Sequence, residues 1–273
     1  MEMTTPSAVS SFHRDGYCVV PDVLTAEQVD HWRSALARHV AAQPPESGRT
    51  GPYFLWPALA DHADLRALYE ESGIGDAVRA FLRPDLALPA PEVAQLALTL
   101  PPHLHHPGAP HIDGLTPTED DGRPGTFTVL AGLLLTDQRQ HDRGNLWVWP
   151  GTHQSTATWL RHHGADALRD ATPYPPVDLP APLQVTGTAG SLVLVHYLLA
   201  HNIGGHFGTA DDERRETVYF RLRAAGHRER WREVVTDPLL EFALSVQTGG
   251  SLRHIDPSRH STASRSSQSA RSR

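Results

Sequence analysis

The chain has 273 residues, of which 39% are hydrophobic and 20% are charged, and its formal net charge is -7 at pH 7. This length and composition are typical of one globular domain with a substantial core. The negative charge argues against general nucleic-acid binding, which depends on cationic contacts to phosphate. No apolar run reaches the roughly 18 residues that a membrane helix needs, and the N-terminus lacks a secretory signal pattern. We therefore expect a cytoplasmic protein.

The usage of lysine, cysteine and histidine narrows the chemistry. The chain contains no lysine, which excludes Schiff-base catalysis and a P-loop lysine. It contains one cysteine, Cys18, so a disulfide framework or a thiolate zinc site cannot form within one chain. The apolar neighbours of Cys18 predict a core position. Histidine is frequent, with 18 copies, so it is the residue type most available for binding a metal ion.

The N-terminal part is predicted to be mostly helical, after a flexible segment over 1–8 and a short strand at 17–20. Thr25 and Gln28 form the pattern of a capping box. Apolar residues at helical spacing follow, which predicts an amphipathic helix over 25–41. The remaining predicted elements of this part are a loop over 44–57 and helices near 61–71 and 75–82.

From about residue 93 the sequence changes to short segments that are rich in β-branched and aromatic residues and bounded by Gly, Pro or Asp. Such segments predict strands. The predicted strands are 93–100, 126–136, 145–150, 183–187, 191–197 and 217–222. This order predicts a mainly β fold with flanking helices, built as a β-sandwich or jelly roll. We expect a single domain over 9–256, with a returning helix over 226–242, and a disordered Ser/Arg-rich tail over 257–273.

Two histidines and one carboxylate form the facial triad of non-haem Fe(II) oxygenases, and the first part of this triad is usually His-x-Asp. Side chains at i and i+2 of a strand share one face and can reach one ion, whereas on a helix they diverge. Four such pairs occur in the sequence: His13/Asp15, His62/Asp64, His111/Asp113 and His254/Asp256.

These four pairs differ in their predicted surroundings. The pair at 62/64 lies in a helical pattern, so its side chains should diverge. The pair at 13/15 is expected in a surface turn, and the pair at 254/256 leads into the predicted disordered tail. Only His111 and Asp113 enter the strand-rich region. We therefore predict that His111 and Asp113 bind the metal.

The third ligand is expected from a later strand, and the segment 190–206 offers three histidines. His196 lies within the apolar strand, as a packed or pocket-lining residue. His201 lies at the far end of that strand, where ligands can converge. His206 lies in a Gly-rich loop and is expected to be solvated.

Four segments resemble the phytanoyl-CoA dioxygenase-like branch of the 2-oxoglutarate oxygenases. FHRDGYCVVPDVLTAEQVDHWRSAL at 12–36 is similar to the N-terminal strand and helix of that family, and PHIDG at 110–114 to its His-x-Asp element. GNLWVWPGTHQ at 144–154 is similar to its Pro-Gly-Thr-His turn. AGSLVLVHYLLAH at 189–201 resembles the strand in which a glycine precedes the distal ligand by eleven residues, and this spacing selects His201.

The resemblance implies a double-stranded β-helix core of the jelly-roll, cupin-like type. It also implies that His111, Asp113 and His201 are the catalytic Fe(II) ligands. An enzyme of this kind uses 2-oxoglutarate and O2, releases succinate and CO2, and hydroxylates an unactivated C–H bond, here of a secondary metabolite or an amino-acid-like molecule. Because Asp113 supplies a carboxylate, no position is free for chloride, and halogenation is not expected. Desaturation, epoxidation and ring closure would use the same residues and stay open.

The family also has an arginine that pairs with the distal carboxylate of 2-oxoglutarate, for which the planar guanidinium is well suited. Arg215 matches this position. Arg214 is the alternative, because a small insertion in the loop 206–213 leaves the register open. Thr217 and Gln95 are the other predicted cosubstrate-binding residues.

Three residues are predicted to contact the substrate: Trp147, His196 and His103. Trp147 alternates with Trp149, which favours a shared sheet face; this pattern favours core packing, and contact with the substrate is the other role that stays open for Trp147. His103 belongs to a His-rich loop over 103–106, which either lines the pocket mouth or is simply exposed.

Two other classes of function stay open. A barrel with His/Asp/His ligands could bind zinc or another divalent ion and act as a hydrolase or isomerase. Such a protein would not need Arg215. A non-catalytic binding module is the other class. In each case we expect a small-molecule ligand, no nucleic-acid or membrane partner, and a monomer or homodimer.

Overall fold

The computed structural model describes residues 6–114, 119–171 and 173–243. Over these ranges the helices are α1 (Pro6–Asp15), α2 (Ala26–Ala42), α3 (Ala63–Glu71), α4 (Ile74–Arg79), α5 (Thr152–His163) and α6 (Trp231–Thr236), with a 3-10 helix at Ala165–Asp170. The strands are β1 (Tyr17–Val20), β2 (Gly51–Leu55), β3 (Ala94–Leu100), β4 (Val129–Leu134), β5 (Leu146–Val148), β6 (Leu183–Gln184), β7 (Leu192–His196), β8 (His201–Ile203) and β9 (Arg215–Leu222).

The strands form two antiparallel sheets. The large sheet has the order β1-β7-β4-β9-β3-β2, and the small sheet has the order β6-β5-β8. Side chains alternate between the two faces of each strand, so Leu96 and Leu98 of β3 face one way and Ala97 the other. Leu96 and Leu98 belong to a core that includes helices α1 to α4, whereas Ala97 belongs to a core shared with the small sheet. This sandwich with flanking helices confirms the predicted mainly β, jelly-roll architecture.

Helix α2 forms as the sequence predicts. The Thr25 side chain accepts a hydrogen bond from the Gln28 backbone, and the Gln28 side chain accepts one from the Thr25 backbone. These two bonds satisfy backbone donors that the first turn of a helix otherwise leaves free. Trp32 and Leu36 on its inner face are buried against the large sheet.

Cys18 of β1 is buried as predicted, and burial raises the pKa of its thiol to about 12.

Several local predictions were wrong. Residues 6–15 form helix α1 rather than a flexible end and a surface turn, because Phe12 is completely buried among the helices. The predicted loop over 44–57 contains β2, which pairs with β3 along its whole length. The returning helix is helical only over α6, since the chain continues into Asp237 and Pro238, and the residue before a proline disfavours helical geometry.

The prediction that His62 and Asp64 diverge was also wrong. His62 is the extended N-cap residue of α3, with φ -128° and ψ 90°, so only Asp64 lies in the helix. His62, Asp64 and His39 have possible ligand atoms within 4.8 Å of one another. His39 and Asp64 form a hydrogen bond of 3.1 Å, which connects α2 to α3.

Some sequence predictions fall outside the part of the chain that the structure describes. These are the pair at 254/256, the tail over 257–273 and the end of the predicted domain. Within the described ranges, no helix has both the length and the apolar character needed to cross a membrane.

Candidate active site

The two candidate histidine ligands, His111 and His201, lie opposite each other on adjacent backbone segments. His201 begins β8, and its backbone exchanges hydrogen bonds with His111 at N···O distances of 3.1 and 3.4 Å. Their ring centroids lie 4.5 Å apart. Ile112 is buried. Because successive side chains of an extended segment point to opposite sides, those of His111 and Asp113 share the side opposite Ile112. The backbone pairing therefore sets the spacing of the two imidazoles.

Asp113 completes the cluster. Its Oδ1 lies 3.4 Å from His111 Nε2 and 3.7 Å from His201 Nε2. One possible ligand atom from each of the three residues lies within 4.8 Å of the others. His201 Nδ1 donates to the Leu199 carbonyl at 2.9 Å, which leaves Nε2 directed at the cluster. The structure thus brings together the three predicted metal ligands.

The surroundings of the cluster favour an ionised Asp113 and a neutral His111. Burial alone would raise the pKa of Asp113, but hydrogen bonds to His111 and His201 and the charge of Arg221 hold this pKa well below its usual value. Burial, followed by the neighbouring His201, lowers the pKa of His111. A deprotonated carboxylate and neutral histidines are the forms that bind metal ions.

Arg215 begins β9 and is 2% exposed. Its Nη2 donates to Tyr219 Oη at 2.5 Å, and its Nε donates to Gln138 Oε1 at 3.3 Å. No carboxylate within the described ranges forms an ion pair with Arg215, whereas Arg214 pairs with Glu216 at 2.8 Å. A buried cation without an acidic partner is costly unless an anion compensates it. This geometry favours Arg215 over Arg214 as the anion-binding residue.

Two residues shape the space around the Arg215 guanidinium. Thr99 is the cross-strand partner of Arg215, and its buried hydroxyl has no hydrogen-bond partner within the described part of the chain. Gly144 approaches from the other side, where a Cβ atom would lie 2.9 Å from Arg215 Cδ and from Thr99 Cβ. Arg215 is therefore a buried cation without an acidic partner, packed beside a buried hydroxyl and a glycine that leaves no room for a Cβ atom unless a side chain shifts.

A cavity of about 1150 Å³ joins the ligand cluster to Arg215. Gln95, which pairs with Tyr219 across β3 and β9, lines this cavity as well. Thr217 contributes indirectly, since its hydroxyl accepts a 3.1 Å hydrogen bond from Gln138 Nε2 and Gln138 in turn contacts Arg215. Of the predicted cosubstrate residues, Arg215 and Gln95 border the cavity, and Thr217 supports Arg215.

The predicted substrate contacts do not border this cavity. His196 uses both ring nitrogens inside the core, since Nε2 donates to the Pro238 carbonyl at 2.7 Å and Nδ1 accepts from the Leu198 amide at 3.0 Å. On β5 it is Leu146 that borders the cavity, so Trp147, the next residue of the strand, faces the opposite way.

The His-rich loop lies away from the cavity lining. The ring of His103 stacks on His105, and its backbone pairs with His206. The expectation that His206 is solvated was wrong. It is 1% exposed, and its Nε2 donates to the Glu213 carbonyl at 2.9 Å, which anchors the loop before β9.

Four residues around the site were not identified from the sequence: Tyr219, Gln138, Thr99 and Arg221. Two of them had a readable signal. Tyr219 and Arg221 continue the period-two alternation that begins with Arg215 and Thr217, so all four share one face of β9. Thr99 and Gln138 left no such signal in the sequence. Thr99 comes close to Arg215 through the register of β3 with β9, and Gln138 does so through a loop.

The comparisons place the chain in a family. The family model of phytanoyl-CoA dioxygenase (PhyH) matches residues 12–215. This match covers most of the chain, and it includes the three candidate ligands and Arg215. The chain belongs to the phytanoyl-CoA dioxygenase family, which confirms the resemblance seen in its sequence. A comparison with curated proteins finds no match.

Several solved structures share the fold. One is SnoK, a non-haem, α-ketoglutarate-dependent carbocyclase from nogalamycin biosynthesis, which is 21% identical, with a TM-score of 0.59 over 84% of this chain and 91% of that chain. HygX from Streptomyces hygroscopicus, with nickel and 2-oxoglutarate bound, is 18% identical, with a TM-score of 0.53 over 80% and 86%. The apoform of EctD from S. alaskensis is 19% identical, with a TM-score of 0.55 over 81% and 77%. At these identities the likeness establishes the fold.

Proposed function

We propose that this protein is an Fe(II)- and 2-oxoglutarate-dependent dioxygenase that hydroxylates a C–H bond of a small molecule. The observation that carries the proposal is the placement of the unpaired, buried Arg215 in the same cavity as a cluster of two histidines and one carboxylate. Membership of the phytanoyl-CoA dioxygenase family supports it.

The donor set fits Fe(II). Two imidazole nitrogens and one carboxylate oxygen form the 2-His-1-carboxylate triad, which leaves coordination positions open. His111, Asp113 and His201 would hold the ion. With 2-oxoglutarate and O2, bound iron would supply oxidative decarboxylation to succinate and CO2, coupled to oxidation of the substrate C–H bond.

The pocket around Arg215 fits the distal carboxylate of 2-oxoglutarate. The guanidinium offers a planar set of donors on the cavity side, and Arg215 lines the same cavity as the three candidate metal ligands. Tyr219 and Gln138 accept hydrogen bonds from Arg215 and so hold it in place. A dicarboxylate bound here would extend through the cavity towards the ligand cluster.

The cavity has room for a substrate beside the cosubstrate. Its volume of about 1150 Å³ exceeds the roughly 300–1,000 Å³ of ordinary small-molecule sites. Phe54 and Trp56 border it and are 40% and 52% exposed, which gives the opening an aromatic surface. A secondary metabolite or an amino-acid-like molecule fits these dimensions.

The structural neighbours support a metabolite substrate. The epimerase SnoN has been solved with nogalamycin RO, and HygX with hygromycin B. Because the neighbours include a carbocyclase and an epimerase, ring closure or epimerisation at the same residues is the alternative to hydroxylation. A zinc hydrolase would not need the buried, unpaired Arg215 in this cavity. The cytoplasmic location and the monomeric or dimeric state stay predictions from the sequence.

Succinate release tests the proposal. Protein supplied with Fe(II), ascorbate, O2 and 2-oxoglutarate should form succinate slowly even without a substrate. His201→Ala should abolish this turnover, Arg215→Met should need far more 2-oxoglutarate to support it, and Arg214→Met should retain it. Wild-type protein that binds Fe(II) through His201 and forms no succinate would instead support the hydrolase or binding class.

A further inference from the structure

The two oxygens of the Asp113 carboxylate have different partners. Oδ1 faces His111 Nε2 and His201 Nε2 at 3.4 and 3.7 Å. Oδ2 accepts a hydrogen bond from Arg221 Nη2 at 2.5 Å. One oxygen is therefore directed at the candidate metal position, and the other is occupied by a cation.

Arg221 is itself held in place. It lies on β9, on the same face as Arg215, opposite Leu130 of β4. Its guanidinium carbon lies 4.8 Å from the centroid of the Trp56 ring and 5.8 Å from that of Phe127. Among the described carboxylates, only that of Asp113 forms an ion pair with Arg221. The aromatic contacts restrict the guanidinium, and its charge is directed at one oxygen of the candidate ligand.

We propose that Arg221 is a positioning residue that makes Asp113 a ligand through Oδ1 alone. This inference rests on the proposed function. An octahedral ion has six positions, of which the triad takes three and a chelating 2-oxoglutarate takes two. If Asp113 bound through both oxygens, no position would be left for O2. By occupying Oδ2, Arg221 would leave a bound ion one carboxylate oxygen rather than two, and so a position for O2.

The sign of the effect on metal affinity separates this role from a simple charge effect. A nearby cation repels a metal ion, so its removal would tighten metal binding if charge were its only contribution. A residue that orients a ligand has the opposite effect, because its loss typically weakens metal binding by about 10- to 100-fold.

The test compares Arg221→Gln with Arg223→Gln as a matched control. Arg223 follows Arg221 by two residues and borders the same cavity, but it pairs with Glu119 at 2.8 Å. Anaerobic titration with Co(II) gives both the affinity and the ligand-field spectrum. We expect Arg221→Gln to weaken Co(II) binding by about 10-fold or more and to change the spectrum. Arg223→Gln should match the wild type, and Arg221→Lys should partly restore binding.

A second variant covers the case in which Arg221→Gln does not fold. Trp56→Leu removes the ring beneath Arg221 without touching a ligand, and it should change the spectrum in the same direction but less strongly. An unchanged spectrum, or tighter Co(II) binding, in Arg221→Gln would overturn the inference. His201→Ala distinguishes a failure of this inference from a failure of the proposed metal site. If wild-type Co(II) binding does not depend on His201, then the proposed metal site itself is wrong; if it does, only the role of Arg221 is in question.

Discussion

His111 and His201 exchange both of their backbone hydrogen bonds, at N···O distances of 3.1 and 3.4 Å, although 90 residues separate them along the chain. Directly opposed residues in such an antiparallel pair have Cα atoms about 5.5 Å apart, and here their ring centroids lie 4.5 Å apart. The spacing of two candidate ligands is therefore fixed by backbone pairing, while Asp113 follows His111 by two residues and reaches the same point.

Tyr219 is predicted to orient Arg215 for the cosubstrate. Tyr219→Phe removes the hydroxyl that accepts from Arg215 Nη2. Hydrogen bonds to charged groups contribute about 1.5–3 kcal/mol, so we expect the affinity for 2-oxoglutarate to fall roughly tenfold or more, with Fe(II) affinity unchanged. Calorimetric titration of both ligands measures this. Tyr53→Phe, which removes a hydroxyl bonded to the Gln43 carbonyl outside the site, should behave as the wild type. Equal 2-oxoglutarate affinity in both variants would contradict the prediction.

Gly144 is predicted to be required for the same pocket. In Gly144→Ala the new methyl group would lie 2.9 Å from Arg215 Cδ and from Thr99 Cβ, so both side chains must move. Gly122→Ala is a matched control, because both glycines have positive φ, +83° and +78°, but Gly122 has nothing within 4 Å of the added carbon. We expect weaker 2-oxoglutarate binding for Gly144→Ala only. A similar loss in both variants would attribute the effect to backbone strain instead.

Glu241 is predicted to stabilise the C-terminal part of the described chain. Its Oε2 lies 2.8 Å from His227 Nδ1 and accepts from Thr128 Oγ1 at 2.6 Å, and the His227 and Glu241 side chains are fully buried. Removal of one partner leaves buried polar groups unsatisfied, so Glu241→Ala should lower the free energy of unfolding by about 3–5 kcal/mol. Urea denaturation measures this change. Glu233→Ala, at an exposed position of α6, should change it little.

The parts of the site that the sequence predicted are those with local patterns. His111 and Asp113 lie two residues apart on an extended segment, and the spacing from Gly190 selects His201. Arg215 begins a strand whose alternation is visible in its apolar residues. Each of these features is encoded within a few neighbouring positions, so pattern and resemblance were enough to predict them.

The parts that were missed depend on pairing between distant segments. Leu146 and Trp147 are adjacent on β5, and the pairing of Trp147 with Asn202 of β8 decides which of the two faces the cavity. Thr99 reaches Arg215 only through the register between β3 and β9. Helix α1 forms because Phe12 packs against Phe81 and Phe242, which are far away in the sequence. Tertiary contacts of this kind leave no signal at a single position.

The most direct test of the account is anaerobic titration of the protein with Fe(II) and then with 2-oxoglutarate, followed by visible spectroscopy. Chelation of Fe(II) by 2-oxoglutarate at a triad of His111, Asp113 and His201 should produce a weak metal-to-ligand charge-transfer band. The account predicts that this band appears in the wild type, is lost in His201→Ala, and needs far more 2-oxoglutarate in Arg215→Met. Wild-type protein that binds Fe(II) and develops no band at saturating 2-oxoglutarate would contradict it.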